Sequence, residues 1–132
     1  MMSLSTAIQE IKIARFDYGA DLLGELRKYV SDNNIKNALI LNGIGSSQSY
    51  SYHVVASSEI PPKEMYPKED KPLDIISVQG FVLDGRVHAH ILFGDEKISF
   101  GGHLEEGVKV LTFAIITLGI IGDDDISGID RL

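Results

Sequence analysis

Hydrophobic positions along this chain follow two different periods, and each period predicts a different kind of element. From Thr6 to Phe16 the pattern alternates weakly, Ile11 and Ile13 against Lys12 and Arg15, which predicts a first strand. From about Ala20 to Asn33 the period becomes helical. Leu22, Leu23, Leu26 and Val30 fall on one face, Asp21 and Glu25 occupy the early turns, and Asn33-Asn34 ends the run. Thereafter the chain reads as strands. Ala38 to Leu41 is a short apolar run, expected to end in a tight turn at Asn42-Gly43-Ile44-Gly45-Ser46. Ser49 to Ala56 alternates, with Tyr50, Tyr52 and Val54 on one side and His53 on the other. Ser57 to Pro72 is rich in proline and charge and predicts a surface loop or short irregular edges. Leu73 to Leu83 predicts a strand with a bulge at Gly80. Arg86–Phe93 and Lys97–Gly101 predict a hairpin, and Val108 to about Ile121 a last long strand. The expected fold is therefore α+β, a mixed α/β single domain with one principal helix on a mixed, largely antiparallel sheet. It spans residues 5–121, followed by a C-terminal tail, residues 122–132.

Composition narrows the class. The 132 residues suffice for one domain with a sizeable core, and 44% hydrophobic content is ordinary for a globular protein. No cysteine is present, so any bound metal must be held by nitrogen and oxygen ligands. The N-terminus lacks the pattern of a signal peptide, and the most apolar stretch, Val110 to Ile121, is too short to cross a bilayer; no membrane association and a cytoplasmic location are expected. Net charge is −7, from 19 acidic and 12 basic side chains. Only four of the latter are arginines, and the lysines near residues 63–71 are interleaved with acids, which argues against autonomous binding to phosphate backbones.

The chemistry concentrates in one place. His88, His90 and His103 lie within sixteen residues, separated by an apparent reversal at Gly94-Asp95-Glu96-Lys97. On a strand His88 and His90 leave the same face, roughly 7 Å apart. A hairpin centred between Asp95 and Glu96 would set His88 directly opposite His103, with Cβ atoms ~5 Å apart. In that register Val87, Ala89, Ile91, Phe93, Ile98, Phe100 and Leu104 form an apolar face, and the histidines point away from it. Three imidazoles with an open fourth position match a catalytic rather than a structural zinc site, although nickel, iron, manganese and cobalt accept the same ligands. Glu105 and Glu106 follow closely, and either can serve as an imidazole acceptor or as a general base; Glu106 is the candidate catalytic residue. His53 reads as a surface histidine. Gly43-Ile-Gly45-Ser46 lacks the following helix that a phosphate loop requires, and no Gly-x-Ser-x-Gly nucleophile signature occurs.

Several of these pieces, in this order, resemble the plants-and-prokaryotes-conserved (PPC) domain family, in its prokaryotic single-domain form. They are Gly19-Ala-Asp21-Leu-Leu, Leu41-Asn-Gly-Ile-Gly-Ser46, Pro72-Leu-Asp-Ile-Ile-Ser-Val-Gln-Gly80, Val87-His-Ala-His90 and Gly101-Gly-His-Leu-Glu-Glu-Gly107. The resemblance covers roughly Ile8 to Leu118. It implies a compact domain that assembles as a homotrimer, a histidine-lined site able to hold a metal, and a topology similar to acetolactate decarboxylase. Members are often labelled predicted DNA-binding proteins, but the Arg-Gly-Arg-Pro hook of the plant members is absent here, and Lys71-Pro-Leu-Asp-Ile-Ile76 departs from their partner-binding stretch. The leading expectation is a divalent-metal site at His88, His90 and His103, with zinc the expected ion, in a small-molecule-binding or catalytic module whose reaction the sequence leaves open. The alternatives are a DNA-associated regulator acting through partners and a structural trimer with interface histidines.

Overall fold

The first strand, β1 (Glu10–Asp17), pairs antiparallel with the last, so the chain ends meet early. The computed structural model describes all residues, 1–132. Helix α1 (Leu22–Asp32) begins where Asp21 caps it, Oδ1 accepting from the Gly24 amide at 3.1 Å. Its apolar stripe, Leu22, Leu23, Leu26 and Val30, is buried, each residue worth about 1.5–3 kcal/mol of apolar burial. The other Asp21 oxygen accepts from the Gly107 amide at 2.7 Å, tying the helix start to the loop that follows the histidine hairpin.

The turn expected at residues 42–46 is not formed. Ala38–Val55 is one continuous strand, β2, of 18 residues. Its glycines serve close approach instead of reversal. A Cβ at Gly45 would lie 2.1 Å from the Phe113 carbonyl oxygen, and one at Gly43 would lie 2.5 Å from Val78 Cβ. The irregularity appears as register shifts between Ile40 and Asn42 and between Gly45 and Ser47. The proline-rich stretch also departs from a plain loop. It contains a short edge strand, β3 (Glu64–Met65), and the start of β4 (Lys68–Leu83), which runs through Pro72. Gly80 pairs with Ile40 on one side and Ala89 on the other with no register shift at that position, so the expected bulge is absent there; the pairing with β2 pauses after Gly80 and resumes at Ile75, and β4 shifts register against the next strand between Ile75 and Ser77. The remaining strands are β5 (Arg86–Gly94), β6 (Ser99–Leu104) and β7 (Val110–Ile120).

The sheet order is β1-β7-β2-β4-β5-β6, and an added pairing of β6 with β2 closes β2, β4, β5 and β6 into a ring. Every strand pairing is antiparallel, so the expected mixed sheet resolves to an antiparallel one under a single helix. The core cluster joins the α1 stripe to the inner faces of the strands, with Tyr50, Tyr52, Phe93 and Phe100 packed together at one end. No helix is long and apolar enough to cross a membrane.

The segment from residue 122 to residue 130 lies against the domain. The buried Asn37 side chain donates to the carbonyls of Gly122 (3.0 Å) and Asp124 (2.9 Å), and Ile126 is buried with Leu83 and Ile121.

Candidate metal centre

The hairpin that carries the histidines is formed, but its register differs from the expected one. His90, not His88, stands opposite His103. The turn is Asp95–Ile98, where Asp95 Oδ1 accepts from the amides of Lys97 (2.8 Å) and Ile98 (2.9 Å), and the Asp95 amide donates to the Ile98 carbonyl. That Asx-type turn sets the ladder two residues away from the one expected, and a slip of two leaves every side chain on its original face. Val87, Ala89, Ile91, Phe93 and Leu104 are buried as expected, whereas Ile98 belongs to the turn and is 56% exposed. Gly101 and Gly102 remain inside the strand. A Cβ at Gly101 would lie 1.9 Å from the Ile91 carbonyl oxygen and one at Gly102 2.4 Å from that of His53, so β6 fits between β5 and β2 because both lack side chains.

Ring closure brings a fourth histidine to the group. His53 on β2 pairs with His103 on β6, so His90, His103 and His53 form a row across three adjacent strands, with His88 two residues before His90. Ring centroids are 5.7 Å apart for His88 and His90, 4.8 Å for His88 and His103, 5.7 Å for His90 and His103, and 4.2 Å for His53 and His103. The surface reading of His53 is therefore corrected. Its local alternation placed it properly on the outer face, but nothing local discloses that its neighbour there is fifty residues away.

Three carboxylates border the cluster. Glu105 Oε1 lies 2.5 Å from His53 Nδ1 and 3.4 Å from His103 Nδ1, and His53 Nε2 is 3.5 Å from Glu64. On the opposite side Asp130 Oδ2 is 2.5 Å from His88 Nδ1. Glu105 is aimed by its loop: its amide donates to the Ser51 carbonyl, and the Ser49 hydroxyl donates to the Gly107 carbonyl at 2.6 Å. Glu106 points elsewhere and accepts from Arg27 at 2.8 Å. His53, His103 and Glu105 offer ligand atoms that all lie within 4.8 Å of one another.

Two of the imidazoles are held in the neutral form a metal needs. Burial, with the neighbouring imidazoles, holds His90 and His103 below the usual histidine value, so both are neutral at pH 7. His103 Nδ1 is buried without a hydrogen-bond partner. Such an atom carries an unreturned desolvation cost that a bound cation or proton donor would offset. Beside the cluster a cleft of about 580 Å³ is lined by Gln79, Phe81, His88, His90, Ile129 and Asp130.

Comparison with known proteins agrees with this architecture. The model of the Plants and Prokaryotes Conserved (PCC) domain matches residues 4–121. Among solved structures, the chain resembles a metal-containing protein of Archaeoglobus fulgidus (TM-score 0.79, 23% identity, 91% of this chain and 86% of that one). It also resembles a plant- and prokaryote-conserved (PPC) protein of Pyrococcus horikoshii (TM-score 0.76, 25% identity, 96% and 88%). A candidate DNA-binding protein of Bacteroides thetaiotaomicron is similar in fold (TM-score 0.76, 16% identity, 88% and 82%). No functionally curated protein matches the chain.

Proposed function

Since the chain belongs to the Plants and Prokaryotes Conserved (PCC) domain family, we propose that it binds a divalent metal, zinc by ligand type, through His88, His90 and His103. The observation that carries this reading is the triangle of imidazoles. Three rings bound tetrahedrally to one ion at 2.0–2.1 Å have centroids about 5 Å apart, and the separations here are 5.7, 4.8 and 5.7 Å. The orphaned, buried nitrogen of His103 and the neutral state of His90 and His103 also suit the ion. The metal-containing neighbour from A. fulgidus points the same way. A bound ion with an open coordination position beside the cleft would polarise a ligand oxygen or activate water. The protein then acts as a small-molecule-binding or metal-dependent catalytic module. A topology similar to acetolactate decarboxylase, which the family resemblance implies, would by itself transfer no reaction.

A second ligand set is His53, His103 and Glu105, favoured by its closely grouped ligand atoms. Elemental analysis of tag-free protein offered zinc at neutral pH separates the two. Near-stoichiometric metal, lost in the double variant His88→Ala/His103→Ala and in His90→Ala but kept in His53→Ala, is the expected result. Loss in His53→Ala with retention in His90→Ala selects the second set, and protein that stays metal-free removes both.

The family resemblance implies a homotrimer, and we propose that assembly here; Ile44, Ile76 and Leu92, on adjacent strands β2, β4 and β5 and 46%, 46% and 39% exposed, offer an apolar surface for it to bury. Light scattering should return three times the 14.5 kDa chain mass, and a monomeric mass contradicts the reading. A DNA-associated role, suggested by the neighbour from B. thetaiotaomicron, runs against the net charge of −7. Arg15, Arg27 and Arg86 are moreover committed to Asp17, Glu106 and Asp130. Absence of a gel shift with random duplex at low salt, the most permissive condition, would end that reading.

A further inference from the structure

We propose that the C-terminal segment completes the site, with Asp130 as the positioning residue of His88. The region matched by the family model ends at Ile121, so Asp130 lies nine residues beyond it. Asp130 nevertheless reaches β5 along a defined path. The Asn37 side chain holds the carbonyls of Gly122 and Asp124, and its own oxygen accepts from the Asp84 amide at 3.0 Å. Ile126 then seats against Leu83 and Ile121. A turn follows, with the Ile129 amide on the Ile126 carbonyl, and it returns the Asp130 side chain to the strand.

Two partners receive it there. Arg86 grips both carboxylate oxygens at 2.8 Å, and one of these oxygens also faces His88 Nδ1 at 2.5 Å. Arg86 and His88 alternate with the buried Val87, so both leave the outer face of β5 and a single carboxylate can bridge them. With a guanidinium donating to both of its oxygens, this carboxylate is an acceptor and not a donor toward His88. A carboxylate acceptor requires the proton on Nδ1, which leaves the lone pair on Nε2. Asp130 therefore selects the tautomer in which the ring presents Nε2 as a donor atom to an ion shared with His90 and His103. The segment also supplies one wall of the cleft through Ile129.

This assignment rests on the metal reading above, and its test is arranged so that the two can fail separately. Imidazole nitrogen NMR of the metal-free protein should show His88 as the Nδ1–H tautomer, and Asp130→Ala should shift it toward the Nε2–H form. Asp130→Asn retains an acceptor oxygen and should largely keep the wild-type tautomer. Zinc affinity, measured by competition with a chromophoric chelator, should weaken 10–100-fold in Asp130→Ala and less in Asp130→Asn. A chain ending at Gly128 keeps the Asn37 and Ile126 anchors and should behave as Asp130→Ala does. A merely structural role predicts equal losses in the two Asp130 variants and no change of tautomer. An unchanged tautomer in Asp130→Ala overturns the proposal. If the wild type binds no zinc, the metal reading falls, and the tautomer measurement alone decides whether Asp130 positions His88.

Discussion

The two faces of the β5–β6 hairpin come from the same alternating residues but depend on the fold in different ways. The inner face, Val87, Ala89, Ile91 and Phe93, is buried against a core assembled from α1 and every other strand except β3. Apolar burial is non-directional, so this face needs to be inside but does not need a particular residue opposite each position. The outer face needs one register. His90 meets His103, and His103 meets His53, only because β6 pairs with β5 on one edge and β2 on the other. A slip of two positions left the inner face intact in the expected and observed registers, while it changed which histidines are neighbours.

The contrast can be broken from either side. Phe93→Ala should have the largest effect, about 3–5 kcal/mol of lost stability in urea, because the ring is fully buried among Tyr50, Tyr52 and Phe100. Zinc affinity of the protein that remains folded should change by no more than a few-fold. His103→Ala should do the reverse. It abolishes zinc uptake and alters stability by less than about 1 kcal/mol, since the imidazole it removes is partly exposed and its buried Nδ1 has no hydrogen-bond partner. If both variants lose stability and metal together, the two faces are not independent.

Gly101→Ala comes next. The added methyl would fall 1.9 Å from the Ile91 carbonyl oxygen, so β6 must move off β5. A loss of about 1–3 kcal/mol is expected, together with weakened zinc binding, as the row of histidines is pulled apart. Chemical denaturation and zinc titration on the same preparation check it; weakened stability with intact zinc affinity would show that the row tolerates displacement.

The smallest effect belongs to the turn. Lys71, at 2.8 Å, and the amides of Ile98 and Lys97 hold the Asp95 carboxyl well below the usual carboxylate range. A depressed folded value means the group stabilises the fold fully above its unfolded pKa of about 3.9, and that contribution disappears as pH falls toward the folded value. Asp95→Asn keeps an oxygen for the two amides but loses the charge. Its melting temperature should sit slightly below wild type at pH 7, and the gap should close below about pH 4. A gap that persists undiminished at pH 2.5 would mean that charge is not what Asp95 contributes.

Much of the outline was legible in the residues. The 3.6-residue spacing of Leu22, Leu26 and Val30 marked the helix, and alternation marked the two faces of the hairpin, because both are properties of neighbouring residues. The long strand β2 was not legible. Gly43 and Gly45 carry the signature of a turn, and only the proximity of Val78 and of the Phe113 backbone explains them as points of close packing. His53 and Asp130 were missed for a related reason. His53 looked like any outward residue of a half-exposed strand. Asp130 sat in a polar tail whose only sign of docking was the pair Ile126 and Ile129.

The sequence by itself therefore determined the kinds of element, which face of each is apolar, and that imidazoles gather on one hairpin. These follow from periodicity and side-chain chemistry, which act over a few residues. The tertiary structure decided which histidines are neighbours, which carboxylate serves each, and that the chain end reaches the site. Those depend on ring closure between β2 and β6 and on the anchoring of the tail by Asn37, contacts between residues far apart in the chain whose geometry no local pattern encodes.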